Sequence, residues 1–479
     1  MGSIRATILA TAVACVAISH RSLTQQPADV VPLHVTSRAL DIRVDYGHGS
    51  LNGSETLHVR NTSKRSTAEI PLLLNRLMTV SRITDGNGVV VPFQQSVVLF
   101  RDDSVLQVNA ISARLRKPVA AGDSIALVIQ YGGHLVGYTE TGSLYIKDKV
   151  DSAFTIIRED AFAFPVIGVP SRRVNRATGY EPFMFDVRVT VPSMFVVATG
   201  GMVDAIAKHD SLVIWRYRSI TPAPALNVAI APYRTIDESG LRIFYLPEDS
   251  AGAQIVERSI TRALAQYAEW FGPVGGKSNV TVIEIPEGWG SQASLSGGII
   301  QTADAFRDRD QLYQVYHELS HLWNVNETDK PSPRWNEGLA SFLQWRMAAQ
   351  LDGWSGWDAR IERLESSLKR NCQADAPCTK IPLADYGRAE LTDYSYSVGM
   401  AMFYALFKTP GPESFDKAYR SYYQQHRVMG GTSAELVAAF HDMDPRSDRI
   451  FADWFSTTKW QSRLAAGEKL RDIVNGYAH

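Results

Sequence analysis

Two histidines four residues apart enclose a glutamate in the pentapeptide His317-Glu318-Leu319-Ser320-His321. On a helix this spacing puts both imidazoles on one face, one turn apart, where a single zinc ion can take a nitrogen from each. Glu318, beside the first histidine, is then the natural general base for a metal-activated water. The helical phase agrees with this reading. Leu312, Val315, Leu319 and Leu322 form an apolar stripe, and at about 100° per residue the histidines fall roughly opposite it. The helix can bury its apolar stripe and still turn both histidines toward a cleft. The pentapeptide alone also fits an ordinary solvated helix face, so its weight depends on whether a third ligand is within reach.

Fifteen residues separate His321 from Glu337, which lies in Trp335-Asn336-Glu337-Gly338-Leu339-Ala340. Glu337 is thereby available as a carboxylate ligand from an adjacent antiparallel helix. Two histidines and one carboxylate leave a fourth position for water, the arrangement of a catalytic rather than a structural zinc. The expectation is one Zn²⁺ per chain. No other chemistry competes: there is no Gly-x-Ser-x-Gly elbow and no phosphate-binding loop, and His426 and His441 read as helix-surface residues.

The run His317-Glu318-Leu319-Ser320-His321-Leu322-Trp323, then Asn326, then Asn336-Glu337-Gly338 resembles the aminopeptidase N and leukotriene hydrolase family of gluzincins. The resemblance implies His317, His321 and Glu337 as ligands and Glu318 as base, with a peptide or protein as substrate. The family usually has three more residues between the second histidine and the glutamate, so the connecting loop here is shorter. Tyr396-Ser397-Val398-Gly399 matches the family's Tyr-x-x-Gly segment and implies Tyr396 as the hydroxyl that steadies the oxyanion. The chain has 19 tyrosines, and Tyr394 is the nearest competitor. Val128-Ile129-Gln130-Tyr131-Gly132-Gly133, Ala163-Phe164-Pro165 and Phe185 to Pro192 look like the family's β domain, which extends the resemblance over roughly residues 35–460. It implies an N-terminal antiparallel β domain followed by a thermolysin-like, mainly helical catalytic domain, in a short form without the family's C-terminal helical domain and with a more open site.

The resemblance fails where it would define an exopeptidase. Family aminopeptidases carry a Gly-x-Met-Glu-Asn strand whose glutamate holds the substrate's free amine. Aligned on Gly298-Ile299-Ile300, that position is Leu295, which cannot pair with an ammonium. Gln292 offers only a neutral acceptor, weaker than a charged one. The Gly-Ser-rich backbone can still pair with an extended peptide as an added edge strand. Gln344 stands where many relatives have a glutamate behind the metal. Three readings remain open: a zinc peptidase, an aminopeptidase with an atypical amine anchor, or a non-catalytic zinc-containing binding protein.

The elements that must position these residues divide into two parts. From about 30 to 238, alternating runs recur between turn signals: Leu40 to Val44, Ser54 to Val59, Gly88 to Phe93, Ser124 to Tyr131, Phe183 to Val191 and Leu212 to Tyr217. This predicts an antiparallel, sandwich-like domain. From 239 to 479 the pattern is mainly helical. Ser250 to Phe271 is predicted as a helix and Val280 to Ile285 as a short strand; further helices fall near 310–326, 333–350, 355–370, 395–407, 413–426, 433–441, 447–456 and 461–475. Ser332-Pro333 and Thr432-Ser433 look like helix starts.

The 479 residues are 45% hydrophobic with a net charge of −1, enough apolar material for two to three cores. Both signs of charge are dispersed, which argues against a nucleic-acid partner. Arg5 followed by the apolar run Ala6 to Ile18 predicts an export signal over residues 1–19, and the run is too short for a transmembrane helix. The alternative is a lipoprotein signal with Cys15 as the acylated residue. Either reading places the mature chain in the periplasm or outside the cell. Cys372 and Cys378 flank a polar loop and are expected to pair there.

Overall fold

The computed structural model describes residues 30–141, 143, 146–178, 181–238, 240–274, 280–293, 298–373 and 375–478. The segment 1–19, with Cys15, and Leu295 lie outside the described residues. The chain forms an N-terminal β-rich part followed by a mainly helical part.

In the first part, alternation sets the faces of the strands. In Leu33–Asp45, Leu40, Ile42 and Val44 point into the core while Asp41 and Arg43 are exposed. A seven-stranded sheet runs Met202–His209, Leu212–Arg218, Met184–Pro192, Leu33–Asp45, Ser50–Asn61, Ser124–His134, Met78–Asp85. All its pairings are antiparallel except that of Leu33–Asp45 with Met184–Pro192. A four-stranded sheet (Phe93–Phe100, Asp103–Val119, Thr67–Leu74, Val166–Ile167) contributes to the same core. The strand expected over Gly88 to Phe93 is not there. Gly86-Asn87-Gly88 does make the turn, with Gly88 at a φ of 81° and the Asp85 carboxylate accepting from the amides of Asn87 and Val89. The next strand begins only at Phe93, because the chain after the turn closes on Asp85 and Thr84 instead of extending.

The second part starts on a mixed sheet, Arg234–Glu238, Leu241–Tyr245, Val280–Ile285, Ile299–Thr302, whose last three strands are parallel. Helices α1 (Ser250–Phe271), α2 (Leu312–Ser320), α3 (Trp335–Asp352), α4 (Trp357–Asn371), α5 (Ser395–Lys408), α6 (Pro412–His426) and α7 (Ser433–Met443) build one large core with the sheet, and shorter helical turns fill the gaps between them. The region expected as one helix over 461–475 is two, Lys459–Ala465 and Leu470–Asn475. Thr432 caps α7 as expected: its hydroxyl accepts from the Glu435 amide while the Glu435 carboxylate accepts from the Thr432 amide. Ser332-Pro333 does not start a helix. The first helical residue is Trp335, for a reason that lies in the site itself. Cys372 and Cys378 are joined, with Cα atoms 5.7 Å apart. Among the described residues no helix is long and apolar enough to cross a membrane.

Candidate metal centre

Helix α2 packs through the predicted stripe: Leu312, Val315, Leu319 and, just beyond it, Leu322 are all buried. The helix is shorter than expected. It gives way after Ser320 to a tighter turn, His321–Trp323, and the chain turns extended at Asn324. The free carbonyls at this end are taken from outside. Tyr419 Oη donates to Trp323 O at 3.0 Å and Tyr423 Oη to Leu322 O at 3.5 Å, while Trp323 Nε1 donates to Gly272 O at 2.8 Å. Helices α1 and α6 therefore fix the end of the element that carries both histidines.

Helix α3 brings Glu337 to them. Glu337 Oε2 lies 3.7 Å from His317 Nε2 and 3.6 Å from His321 Nε2. A tetrahedral ion with bonds of about 2.1 Å separates its donors by about 3.4 Å, so both distances are close to what one zinc ion would require. Among the described residues this is the one group of three or more His, Cys, Asp or Glu side chains that converges in this way. His317 Nδ1 lies 2.8 Å from Gln344 Oε1. An amide oxygen only accepts, so His317 Nδ1–H donates to it, and Nε2, which faces Glu337, is the nitrogen left for an ion that would displace its proton. Gln344 thus orients His317 from behind, as a neutral amide. Asn324 Nδ2 lies 2.7 Å from His321 Nδ1, so the amide N–H donates to the ring nitrogen. A His321 ligating through Nε2 would carry its proton on Nδ1 and need an acceptor there, which the same amide offers once it is turned over.

The charges are strongly coupled. Burial works against the ionised form of Glu337, but His321, the hydrogen bond from His317 and Arg334 outweigh it and hold the carboxyl well below the usual range. Burial drives His321 down to about 4, against the pull of Glu337. For His317 burial is overcome by Glu337 and Glu318, and the pKa is raised. Burial pushes Glu318 up to about 7, with His317 opposing and Glu337 reinforcing. A nearby dication favours the ionised carboxylate and lowers that value, which makes Glu318 available as a base at neutral pH.

Tyr396 stands over this group. Its ring lies parallel to that of His317, 6.2 Å between centroids at 10°, and its side chain is partly exposed. Burial raises its pKa, and the charge of Glu337 adds to the effect, so the hydroxyl keeps its proton. Tyr394 packs instead against Tyr386, 6.3 Å away. His426 lies against Tyr422 and Glu435, and His441 against Asp448, away from the metal group.

Two residues that the sequence did not single out complete the site. Arg334 Nη2 lies 2.5 Å from Glu337 Oε1 and 3.4 Å from Tyr396 Oη. Buried Glu327 accepts from Ser332 Oγ at 2.5 Å, from the Arg334 amide at 3.1 Å, and from Asn336 through its amide at 3.3 Å and its Nδ2 at 2.9 Å. This carboxylate caps the first turn of α3, in place of the expected Ser332. The three-residue spacing of Arg334 and Glu337 was a usable signal for the first; Glu327 had none in its neighbourhood.

On the strand side, Gln292 bridges to Ile300, and its Oε1 accepts from Asn227 Nδ2 at 3.1 Å.

No protein-family model matches the chain, and no curated protein matches it by sequence. Solved structures match it by fold. An M1 zinc metallopeptidase from Deinococcus radiodurans aligns with a TM-score of 0.67 at 20% identity, over 89% of this chain and 95% of that one. A glutamate-to-alanine mutant of the Deinococcus enzyme bound to a Tyr-Ser-Ala substrate aligns with a TM-score of 0.65 at 18% identity, over 88% and 94%. A two-domain M1 zinc metallopeptidase mutant bound to L-tryptophan gives 0.63 at 19% identity, over 89% and 95%. The likeness spans both the β-rich and the helical part, so the two-part architecture is that of these structures.

Proposed function

We propose that this protein is a zinc-dependent metallopeptidase of the aminopeptidase N-like gluzincin family, with His317, His321 and Glu337 as ligands, Glu318 as general base and Tyr396 as oxyanion donor. The observation that carries the reading is the convergence of two imidazole Nε2 atoms and one carboxylate oxygen beside a buried glutamate and a partly exposed tyrosine. The fold shared with enzymes named as zinc metallopeptidases, one of them holding a tripeptide, supports it.

Zinc bound by these three side chains would polarise the scissile carbonyl and lower the pKa of a water toward about 7. Glu318 accepts the proton of the attacking water and passes it to the leaving amine. Tyr396, protonated and beside the ligands, donates a hydrogen bond to the oxyanion. Gln344 keeps His317 in the tautomer that ligates.

The alternative with a demand for a free N-terminus is less well supported. The one acceptor identified for an amine, Gln292, is neutral, which makes it weaker than a carboxylate, and it shares its oxygen with Asn227. We place the protein outside the cytoplasm, in the periplasm or beyond, with a lipid anchor at Cys15 as the alternative to simple secretion; the Cys372–Cys378 disulfide supports an oxidising compartment.

The test is a mass-spectrometric map of cleavage sites in a library of free and N-acetylated peptides, for the wild type and Glu318→Gln. The wild type should cleave both sets. The variant should keep its zinc and lose about 10²- to 10⁴-fold in kcat. Unchanged turnover in Glu318→Gln sinks the assignment of the base. Cleavage confined to free peptides would restore the aminopeptidase reading, and retained zinc with no cleavage at all would leave a binding protein.

A further inference from the structure

The turn before α3 holds a non-glycine residue in the left-handed region: Arg334 has φ 57° and ψ 38°. Such a conformation persists only where the surroundings over-determine it, and it is a reason to ask what the side chain is being aimed at. Glu327 and Ser332 supply that constraint: both accept from the Arg334 amide, at 3.1 and 3.0 Å, and Glu327 also grips Asn336 on the far side of the turn. The buried carboxylate locks the backbone on either side of Arg334.

What the turn aims is the guanidinium. It takes Glu337 Oε1 at 2.5 Å, whereas both imidazoles face Oε2. The two oxygens of the carboxylate are thus divided between a cation and a metal position. The same Nη2 atom is 3.4 Å from Tyr396 Oη, and the guanidinium carbon lies 5.9 Å from that ring's centroid. An i,i+3 ion pair whose arginine is 40% exposed contributes little to folding. A strained, carboxylate-locked turn is more than such a pair requires.

We propose that Arg334 is a positioning residue of the metal site. It occupies one oxygen of Glu337 so that only the other is presented to the ion, and it ties the Tyr396 hydroxyl to that ligand through a single guanidinium. The proposal rests on the peptidase reading above and adds a residue to it.

The experiment measures equilibrium zinc affinity by chelator competition, the melting temperature of the metal-free protein, and kcat and KM separately, for the wild type, Arg334→Met and Arg334→Lys. Outer partners of metal ligands typically contribute about 10- to 100-fold in affinity or activity. Arg334→Met should lose zinc affinity in that range and at least about tenfold in kcat, with KM and the metal-free melting temperature close to wild type. Arg334→Lys, a point charge without the planar fork, should recover more of the affinity than of kcat. Zinc affinity of Arg334→Met within about threefold of wild type overturns the proposal. So does a fall in metal-free melting temperature that accompanies the loss, since the residue then holds the fold and not the ligand. Failure of the peptidase reading looks different: the wild type itself takes up no zinc, or takes it up and cleaves nothing.

Discussion

Tyr394 and Tyr396 are two residues apart at the start of α5, and the direction of the helix decides which of them can act. A step of two residues is about 200° around a helix, so the two rings leave on different sides. Tyr394 goes into the aromatic packing with Tyr386, and Tyr396 goes to His317 and Arg334. Replacing Tyr396 with Phe keeps the ring stack and removes only the hydroxyl. The expected result is a fall in kcat of about 10²- to 10³-fold, the usual effect of one oxyanion donor, with KM and zinc content little changed. Tyr394→Phe should leave kcat alone. Steady-state kinetics on a single cleavable peptide decide the matter, and equal effects from both variants would remove Tyr396 from its assigned role. The residues whose spacing along one helix suggests the proposed chemistry, His317 with Glu318 and His321, stand out in the sequence, as does Glu337 on the next helix, and the structure brings His317, His321 and Glu337 together. Arg334 offered only its three-residue spacing to Glu337; its aim at Tyr396 was not legible, because that direction depends on a left-handed backbone that Glu327 imposes from seven residues away. The place of Gln344 behind the histidines was expected from the resemblance, and its amide oxygen lies 2.8 Å from His317 Nδ1.

At the scale of elements, Glu337, the proposed third ligand, and the hydroxyl of Tyr396 are brought together by two glycines. Helices α3 and α5 cross with Gly338 against Gly399, and a methyl group on Gly338 would lie 2.5 Å from the Gly399 Cα. On Gly399 it would lie 2.8 Å from the Gly338 Cα. The obstacle is backbone in both directions, so no side chain can move aside. Glu337 precedes the first glycine by one residue, and Tyr396 precedes the second by about one turn. The Gly of each motif is therefore a contact that sets the distance between ligand and hydroxyl. Gly399→Ala must part the helices. Overpacking of this kind costs about 1–3 kcal/mol, and a displacement near 1 Å at a catalytic group can cost about 10²-fold in rate. Chemical denaturation and kcat measured on the same preparation should both fall; a variant with native midpoint and native kcat would show that the crossing has room to spare. Elements were legible where the signal is local. The helix start expected at Thr432-Ser433 is there, and it is fixed locally by a capping box between Thr432 and Glu435, three positions apart. The start of α3 was misplaced because its cap comes from Glu327, across a loop. The run Gly88 to Phe93 has apolar residues suited to a strand, but the backbone there is spent on closing the turn onto Asp85.

At the scale of the whole molecule, a buried glutamate, Glu284, with the half-buried Asp249 beside it, sits where the two parts meet. A small core joins Phe154, Ile156 and Tyr233 from the first part to Phe244, Ile283 and Ile300 from the second. Within it, Tyr233 Oη donates to the Glu284 carbonyl at 2.6 Å, and the Leu246 amide donates to Glu284 Oε2 at 2.7 Å. Glu284 Oε1 faces no donor, yet the Asp249 carboxylate is beside it, itself held by Arg307 at 2.9 to 3.1 Å. A proton on Glu284 resolves both facts, since it lets Glu284 donate to Asp249. Burial first, and then Asp249, raise the Glu284 pKa to about 9, against an ordinary 4.5. The native state therefore holds a proton that the unfolded chain releases, and the stabilisation is complete below the unfolded value. It is lost as pH rises from 4.5 through about 9, with a slope of up to about 1.4 kcal/mol per pH unit from this group alone. Glu284→Gln keeps a donor toward Asp249 and does not titrate. Urea unfolding of the two zinc-loaded proteins between pH 5 and 9 should show wild-type stability falling relative to the variant as pH rises. Parallel curves over that range would mean that Glu284 does not carry the proton. The effect should also reach the metal site: Glu284 pairs in register with Gln301, whose neighbour Thr302 bonds Gln314 on α2 at 3.0 Å, one turn before His317. Transmission of any alkaline loosening along this route predicts that in Glu284→Gln zinc is retained to higher pH than in the wild type; equal zinc retention by the two proteins would show that the junction and the histidine helix are uncoupled.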